Sequence, residues 1–357
     1  MNPYKQLAER LDALPNSYPS TEDGAELRLL EKLFTPEEAA LAAQLRLTLE
    51  TVNQLAERLN MDKRELRQQL KTMQRKGLIA AGRAPEGGFG FGLLPFVVGI
   101  YEMQVETMDA ELAQLFENYY TQVFGESLRI HPQVHRVIPI QESVKAGIEV
   151  HPFESAVEII NQAKAWGVTD CICRKQKALI GEPCEHPIDV CMVLNARPGI
   201  FDNASSIKAL TKDEALATLK RAADAGLVHS VSNTQEGHWY ICNCCTCSCG
   251  VLRGMAELGI ANVVARSNFV SQVDEDLCIA CGMCVETCQF GALSVTDVAV
   301  VDTVRCVGCG VCTASCPQSA LELVARPSEE IISPPATEMD WHKARATARG
   351  MALEDVL

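Results

Sequence analysis

Residues 271–325 contain an internal repeat with an offset of 28 residues. VDEDLCIACGMCVETCQFGAL, from Val273, is answered by VDTVRCVGCGVCTASCPQSAL, from Val301, and each copy reads C-x-x-C-x-x-C-x-x-x-C. Few chemistries use four thiols at that spacing twice over. Three cysteines on one tight loop can hold three corners of an iron–sulfur cube, because the glycines between them let the backbone wrap it and turn N–H groups toward sulfide. Zinc needs only two C-x-x-C pairs, and it would leave cysteines of the repeat idle. The repeat therefore points to two 4Fe–4S clusters.

The eight cysteines concerned are Cys278, Cys281, Cys284, Cys288, Cys306, Cys309, Cys312 and Cys316. Their pattern resembles the bacterial two-cluster ferredoxins, and the resemblance implies crossed ligation. One cluster would take Cys278, Cys281, Cys284 and Cys316, the other Cys306, Cys309, Cys312 and Cys288. The proline that follows the fourth cysteine in that family is present as Pro317 but replaced by Gln289 in the first copy. This departure leaves the ligands intact and bears on local hydrogen bonding and potential. Asp274, Glu275, Asp276, Glu286, Asp297 and Asp302 give the module an acidic skin, suited to a low-potential couple and to basic patches on partner proteins.

The chain of 357 residues holds 17 cysteines, none before Cys171, so the first 170 residues fold without metal or disulfide. Disulfide scaffolds are short and secreted. This chain is long, opens without an apolar leader core, and contains no run long and apolar enough to span a bilayer. The expectation is a reducing cytoplasm and metal ligation. Nine cysteines lie upstream of the repeat in two blocks: Cys171, Cys173, Cys184 and Cys191, then Cys242, Cys244, Cys245, Cys247 and Cys249. The first block could complete one four-ligand site, the second could supply four ligands and a spare thiol, and one centre fed by both is equally permitted. An additional iron–sulfur centre, or two, is preferred; a zinc staple and metal-free redox thiols are the alternatives. His186 ranks below its cysteine neighbours as a ligand, and His131, His135 and His151 lack ligand spacing.

The fold expected is α+β and multidomain. Tyr4–Leu14 reads as a short helix, and Thr35-Pro36-Glu37-Glu38 caps another running to about Leu47. ETVNQLAERLN, MDKRELRQQLKTMQRKGLI and the glycine-rich AAGRAPEGGFGFGLLP follow. Helix, turn, helix and hairpin resemble a winged helix-turn-helix over about residues 35–95, with Val52, Leu55 and Leu59 facing Leu66, Leu70 and Met73. Its second helix carries Lys63, Arg64, Arg67, Lys71, Arg75 and Lys76 against Asp62 and Glu65. That face could enter a major groove, but a formal charge of −14 argues against a general nucleic-acid binder. Residues 1–100 balance 13 basic against 13 acidic side chains, so the whole excess lies beyond them. VHRVIPIQ and AGIEVH read as strands, PFESAVEIINQAKAWG as a helix, and LTKDEALATLKRAADAGLVHSV as a capped helix entering a strand. A mobile or docking tail is expected after the repeat, with a short helix from Met339.

The implied division is 1–95 winged-helix-like, 96–170 mixed α/β, 171–270 cysteine-rich, 271–325 two-cluster ferredoxin-like and 326–357 tail. The order of LPNSYPSTEDGAELRLLEKLF, DCICRKQ, GEPCEHP, ICNCCTCSCGVLRG and VARSNFV before the repeat resembles a family of bacterial 4Fe–4S dicluster-domain proteins. The resemblance implies the architecture and fixes no activity; the cluster repeat itself points to a cytoplasmic electron-transfer protein serving redox partners through two 4Fe–4S clusters and an upstream centre. A redox-sensing, DNA-binding regulator is one alternative. A catalytic iron–sulfur oxidoreductase subunit using the Cys242–Cys249 run is another.

Overall fold

A computed structural model describes residues 2–357, which fall into two compact units. The first comprises the chain up to Ile130 with Leu179–Gly181 and His342–Leu357; the second comprises His131–Ala178 and Glu182–Trp341. The mixed region expected over 96–170 is thus divided at residue 130.

In the first unit, helices Pro3–Asp12, Ala25–Leu33 and Pro36–Ala42 precede a strand β1 (Glu50–Thr51). Thr35 caps the third helix through a reciprocal bond pair with Glu38, as its sequence implies, but the helix stops at Ala42, short of Leu47. Helices Val52–Leu59 and Lys63–Arg75 lead into β2 (Ile79–Arg83) and β3 (Phe89–Leu93), and the sheet runs β1-β3-β2. Leu55, Leu66, Leu70 and Met73 are buried with Val52, while Leu59 is only half-buried. An aromatic core of Tyr18, Phe96, Tyr101, Phe116 and Tyr119 fills the remainder. The tail is no loose arm. Within the first unit, Arg345 of helix Glu338–Ala348 donates to Pro15 O and Ser127 O.

The second unit is built on an antiparallel six-stranded sheet. Its strands are β4 (His135–Val137), β5 (Ala165–Thr169), β6 (Cys191–Asn195), β7 (Lys208–Leu210), β8 (Val228–Ser232) and β9 (Tyr240–Cys244), in the order β4-β8-β9-β6-β5-β7. Ile138, Met192, Leu194, Val231 and Ile241 pack beneath helices Ala156–Gln162 and Lys212–Asp224. Alternation along a strand then sends Cys191, Cys242 and Cys244 to the opposite face. The helix expected through Gly167 ends at Gln162, because Ala165–Thr169 pairs with both β6 and β7. AGIEVH is not a strand: Lys145 N bonds Leu323 O, Ile148 N turns back to Lys145 O, and Gly147 sits at φ 89°.

The ferredoxin-like part closes with β10 (Phe269–Val273) against β13 (Leu321–Ala325), and β11 (Leu293–Val295) against β12 (Ala299–Val301). Short helices Met283–Thr287 and Val311–Ala314 follow the two cysteine loops, each entered by a left-handed glycine, Gly282 and Gly310.

Candidate metal centres

The repeat is two-fold in detail. Asp274 and Asp302 each accept two backbone N–H groups at the start of a cysteine loop, from Asp276 and Leu277 and from Val304 and Arg305. Ala292 N donates to Cys288 Sγ at 3.3 Å and Ala320 N to Cys316 Sγ at 3.2 Å. Thr287 and Ser315 meet hydroxyl to hydroxyl at 2.9 Å. Two of the six acids of the module therefore shape loops.

The fourth cysteine of each copy stands with the other copy's triplet. One cavity is lined by Cys278, Cys281, Cys284 and Cys316. Burial raises the Cys284 thiol, and the sulfurs of Cys281, Cys316 and Cys278 add to it. Burial pushes Cys312 up to about 12, with Cys306, Cys288 and Cys284 adding to it, while Ser271 Oγ lies 3.4 Å from its sulfur. Cys309 is raised by burial first and then by Cys312, Cys306 and Cys288. Backbone N–H donors, gathered thiols and glycines at the loop corners fit an iron–sulfur cube in each quartet, the first of them around a cavity.

The two quartets differ in exposure. Cys281 is exposed, and Leu277, Ile279 and Met283 around it are 48%, 61% and 45% exposed. Cys306 and Cys312 are buried. The second loop is clamped by the rest of the unit: Ile140 N donates to Cys309 O, Ser143 Oγ to Gly310 O and Ser267 Oγ to Gly308 O.

The nine upstream cysteines separate into two groups that ignore the two sequence blocks. Six form a hydrogen-bonded row on the sheet face away from the helices: Cys171, Cys173, Cys249, Cys244, Cys242 and Cys191. Sheet register makes the row, since β6 pairs with β9 at Met192 and Ile241, next to Cys191 and Cys242. Hydrogen bonds with Cys242 and then Cys249 hold Cys244 down to about 5 against the effect of burial.

The other three meet a histidine. Cys184, His186, Cys245 and Cys247 bring their ligand atoms within 4.8 Å of one another, the one such group of His, Cys, Asp or Glu among the described residues. Cys184 Sγ lies 3.1 Å from Cys247 Sγ, 3.6 Å from Cys245 Sγ and 3.1 Å from His186 Nδ1. His186 is thus a full member of the group; the C-x-H of Cys184-Glu185-His186 mirrors the C-x-C of Cys245-Thr246-Cys247.

Arg174 joins the two groups. Its guanidinium is 2% exposed and donates to Pro187 O, to Asn243 O at 2.8 Å and to Cys245 Sγ at 3.5 Å. Burial works against its charge, but the sulfurs of Cys171, Cys245 and Cys244 outweigh that and raise its pKa. Gln289, the residue in the proline position, accepts from Thr246 N at 2.8 Å and donates to Gly226 O at 2.5 Å. It ties the loop after Cys288 to the loop of Cys245 and Cys247. His131, His135 and His151 stand outside these groups. A cleft of about 900 Å³, lined in part by Glu142, Lys145, Lys220, His229, Thr313 and Glu322, lies beside helix Val311–Ala314.

The family model of the 4Fe-4S binding domain matches residues 271–294 and 299–322, one copy of the repeat each. The C-terminal part is a two-cluster ferredoxin-type region, set in a mixed α/β chain. With the many cysteines, the match supports an iron–sulfur electron-transfer role. No curated protein and no solved structure matches the chain. No helix among the described residues is long and apolar enough to cross a membrane.

Proposed function

We propose that the protein passes single electrons between redox partners through two 4Fe–4S clusters and an additional cysteine-bound centre upstream of them. The observation that carries the reading is the sorting of the eight repeat cysteines into two crossed quartets. Cys278, Cys281, Cys284 and Cys316 hold the outer cluster; Cys306, Cys309, Cys312 and Cys288 hold the inner one. Bound there, the clusters supply one-electron reduction and oxidation. The chain's own residues fix the ends of the route. Leu277, Ile279 and Met283 offer an apolar rim beside exposed Cys281 for a docking partner. Ala292 N, Ala320 N, Ala299 N and Ser271 Oγ lie on cluster-binding sulfurs, where each hydrogen bond favours the reduced, more anionic state. The row Cys171, Cys173, Cys191, Cys242, Cys244 and Cys249, of which Cys244 and Cys249 are buried and the rest half-buried, is the place for the additional iron–sulfur centre.

Iron and acid-labile sulfide analysis of anaerobically purified protein, with EPR of the reduced form, tests this. The expected result is about twelve irons per chain, of which about eight belong to the repeat. Cys316→Ser should perturb the cluster of the first loop and Cys288→Ser that of the second. About eight irons would confine iron to the ferredoxin-type region and remove the upstream cluster.

A regulator that binds DNA is favoured by one observation. The β1-β3-β2 sheet beside helices Val52–Leu59 and Lys63–Arg75 supports the winged-helix reading, and Lys63, Arg64, Arg67, Lys71 and Arg75 are all exposed on the second helix. Salt-dependent retardation of duplex DNA by the holoprotein, weakened by Arg67→Ala, would support it; no binding at low salt would remove it.

A further inference from the structure

We infer that Cys184, His186, Cys245 and Cys247 bind a single zinc ion, in a closed site distinct from every iron–sulfur centre of the chain. The spacing decides between the two metals. Metal–sulfur bonds of about 2.3 Å set tetrahedrally put neighbouring sulfurs about 3.8 Å apart. The sulfur–sulfur distances of 3.1 and 3.6 Å fall just short of that value, and the sulfur–nitrogen distances of 3.1 and 3.9 Å lie either side of the roughly 3.5 Å that bonds of about 2.3 and about 2.0–2.1 Å give. A cube would stand between its thiolates and spread them. Neither the repeat's quartets nor the row of six gathers in this way: among the described residues no three of their sulfurs lie within 4.8 Å of one another.

The donor set agrees. Three thiolates and one imidazole complete four-coordination with protein atoms alone, leaving no open position, which is the pattern of a structural zinc site. The site would carry one net negative charge, and Arg174 supplies the compensating positive charge. Its guanidinium also spans Pro187 O, beside His186, and Asn243 O, near Cys245, so it fixes the two ligand loops against each other. Nδ1 of His186 faces the sulfurs, which leaves Nε2 as the outward nitrogen.

Zinc has no redox change to offer, so its work here is mechanical. Thr246, between two ligands, donates to Gln289, which follows Cys288 of the inner quartet. A zinc-locked loop thereby braces the turn after Cys288 without supplying a ligand to the inner cluster.

The test uses the full chain, purified anaerobically, with zinc and iron measured on the same samples. About one zinc per chain is expected beside the ferredoxin iron. His186→Ala and Cys247→Ser should each lower zinc at least about fivefold while the iron of the repeat and its reduced EPR signal persist; His186→Cys should keep the zinc. Replacement by cobalt should give the thiolate-to-metal absorption and intense visible bands of a tetrahedral ion. Absence of zinc from the parent protein, a mononuclear ferric signal, or a disulfide between Cys184 and Cys247 would overturn the inference. So would loss of iron rather than zinc in Cys247→Ser, at an exposed thiol. Loss of the repeat's iron from the parent protein would count against the ferredoxin reading alone.

Discussion

At Gly308 the backbone takes φ 71°, and a Cβ there would stand 2.1 Å from Phe269 O and 2.2 Å from Ser267 Oγ. The equivalent residue of the first copy is Ala280, which accepts φ 54° with its Cβ in place. The left-handed conformation is therefore tolerable at both positions, at a cost of about 1–2 kcal/mol for alanine, and the collision with β10 is what demands glycine at one. Gly308→Ala should shift the loop of Cys306 and Cys309 and remove about four irons, while Ala280→Gly should keep the full complement; iron analysis of both variants checks this. His135 makes a second residue-level case. Buried on β4, it is held down to about 4 by desolvation. The unfolded chain takes up the proton near pH 6.5 and the folded chain does not. Stability is thus intact above about pH 6.5 and falls as pH drops toward about 4, by up to about 1.4 kcal/mol per pH unit. Urea unfolding between pH 7 and 5 should show that slope, and His135→Phe should reduce it by its share, the rest coming from His229, His238 and His342, which burial lowers as well. His186 was harder to read from sequence than either. It is a lone histidine, and its partners Cys245 and Cys247 lie about sixty residues away, so only the folded sheet reveals what it joins.

At the scale of elements, legibility followed the range of the forces. The cysteine loops were readable because ligand spacing, glycines and aspartate turns are all local. So were helix Lys212–Asp224, with its Thr211–Glu214 capping box, and the strand entered after Gly226. Ala165, Trp166 and Gly167 read as helical because their strand character comes from β6 and β7, which lie beyond any local window. AGIEVH failed the other way: its apolar alternation has no partner strand to pair with. The division of nine cysteines into a row of six and a group of three was equally out of reach, since β6–β9 register decides it. Gln289 is the element-level device with a clear test. It holds two buried-side hydrogen bonds between the first cysteine loop and the segments at Gly226 and Thr246. Gln289→Ala should lower unfolding stability by about 1–3 kcal/mol without changing iron content, read by denaturant melts beside iron analysis. Gln289→Pro should cost at least as much, although it restores the usual residue after the fourth cysteine.

Across the whole molecule the charge is uneven: −14 in total, with the first 100 residues neutral. Part of that excess surrounds the outer quartet, where Glu275, Asp276 and Glu286 are exposed beside Leu277, Ile279 and Met283. An apolar rim inside an acidic ring is built for brief encounters, in which charge brings the partner in and the rim excludes water at the point of transfer. Such steering has a signature in salt. The screening length shrinks from about 30 Å at 0.01 M to about 8 Å at 0.15 M, so long-range attraction is lost while contact geometry is unchanged. The reduced protein should therefore reduce a basic electron-transfer protein, used as a probe, at least about tenfold faster at 0.01 M than at 0.15 M salt. Reversing Glu275 and Asp276 to lysine should remove most of that difference, and Ile279→Asp should slow transfer at every salt concentration. Stopped-flow mixing gives all three rates. A rate indifferent to salt in the parent protein would mean that electrons leave by another face.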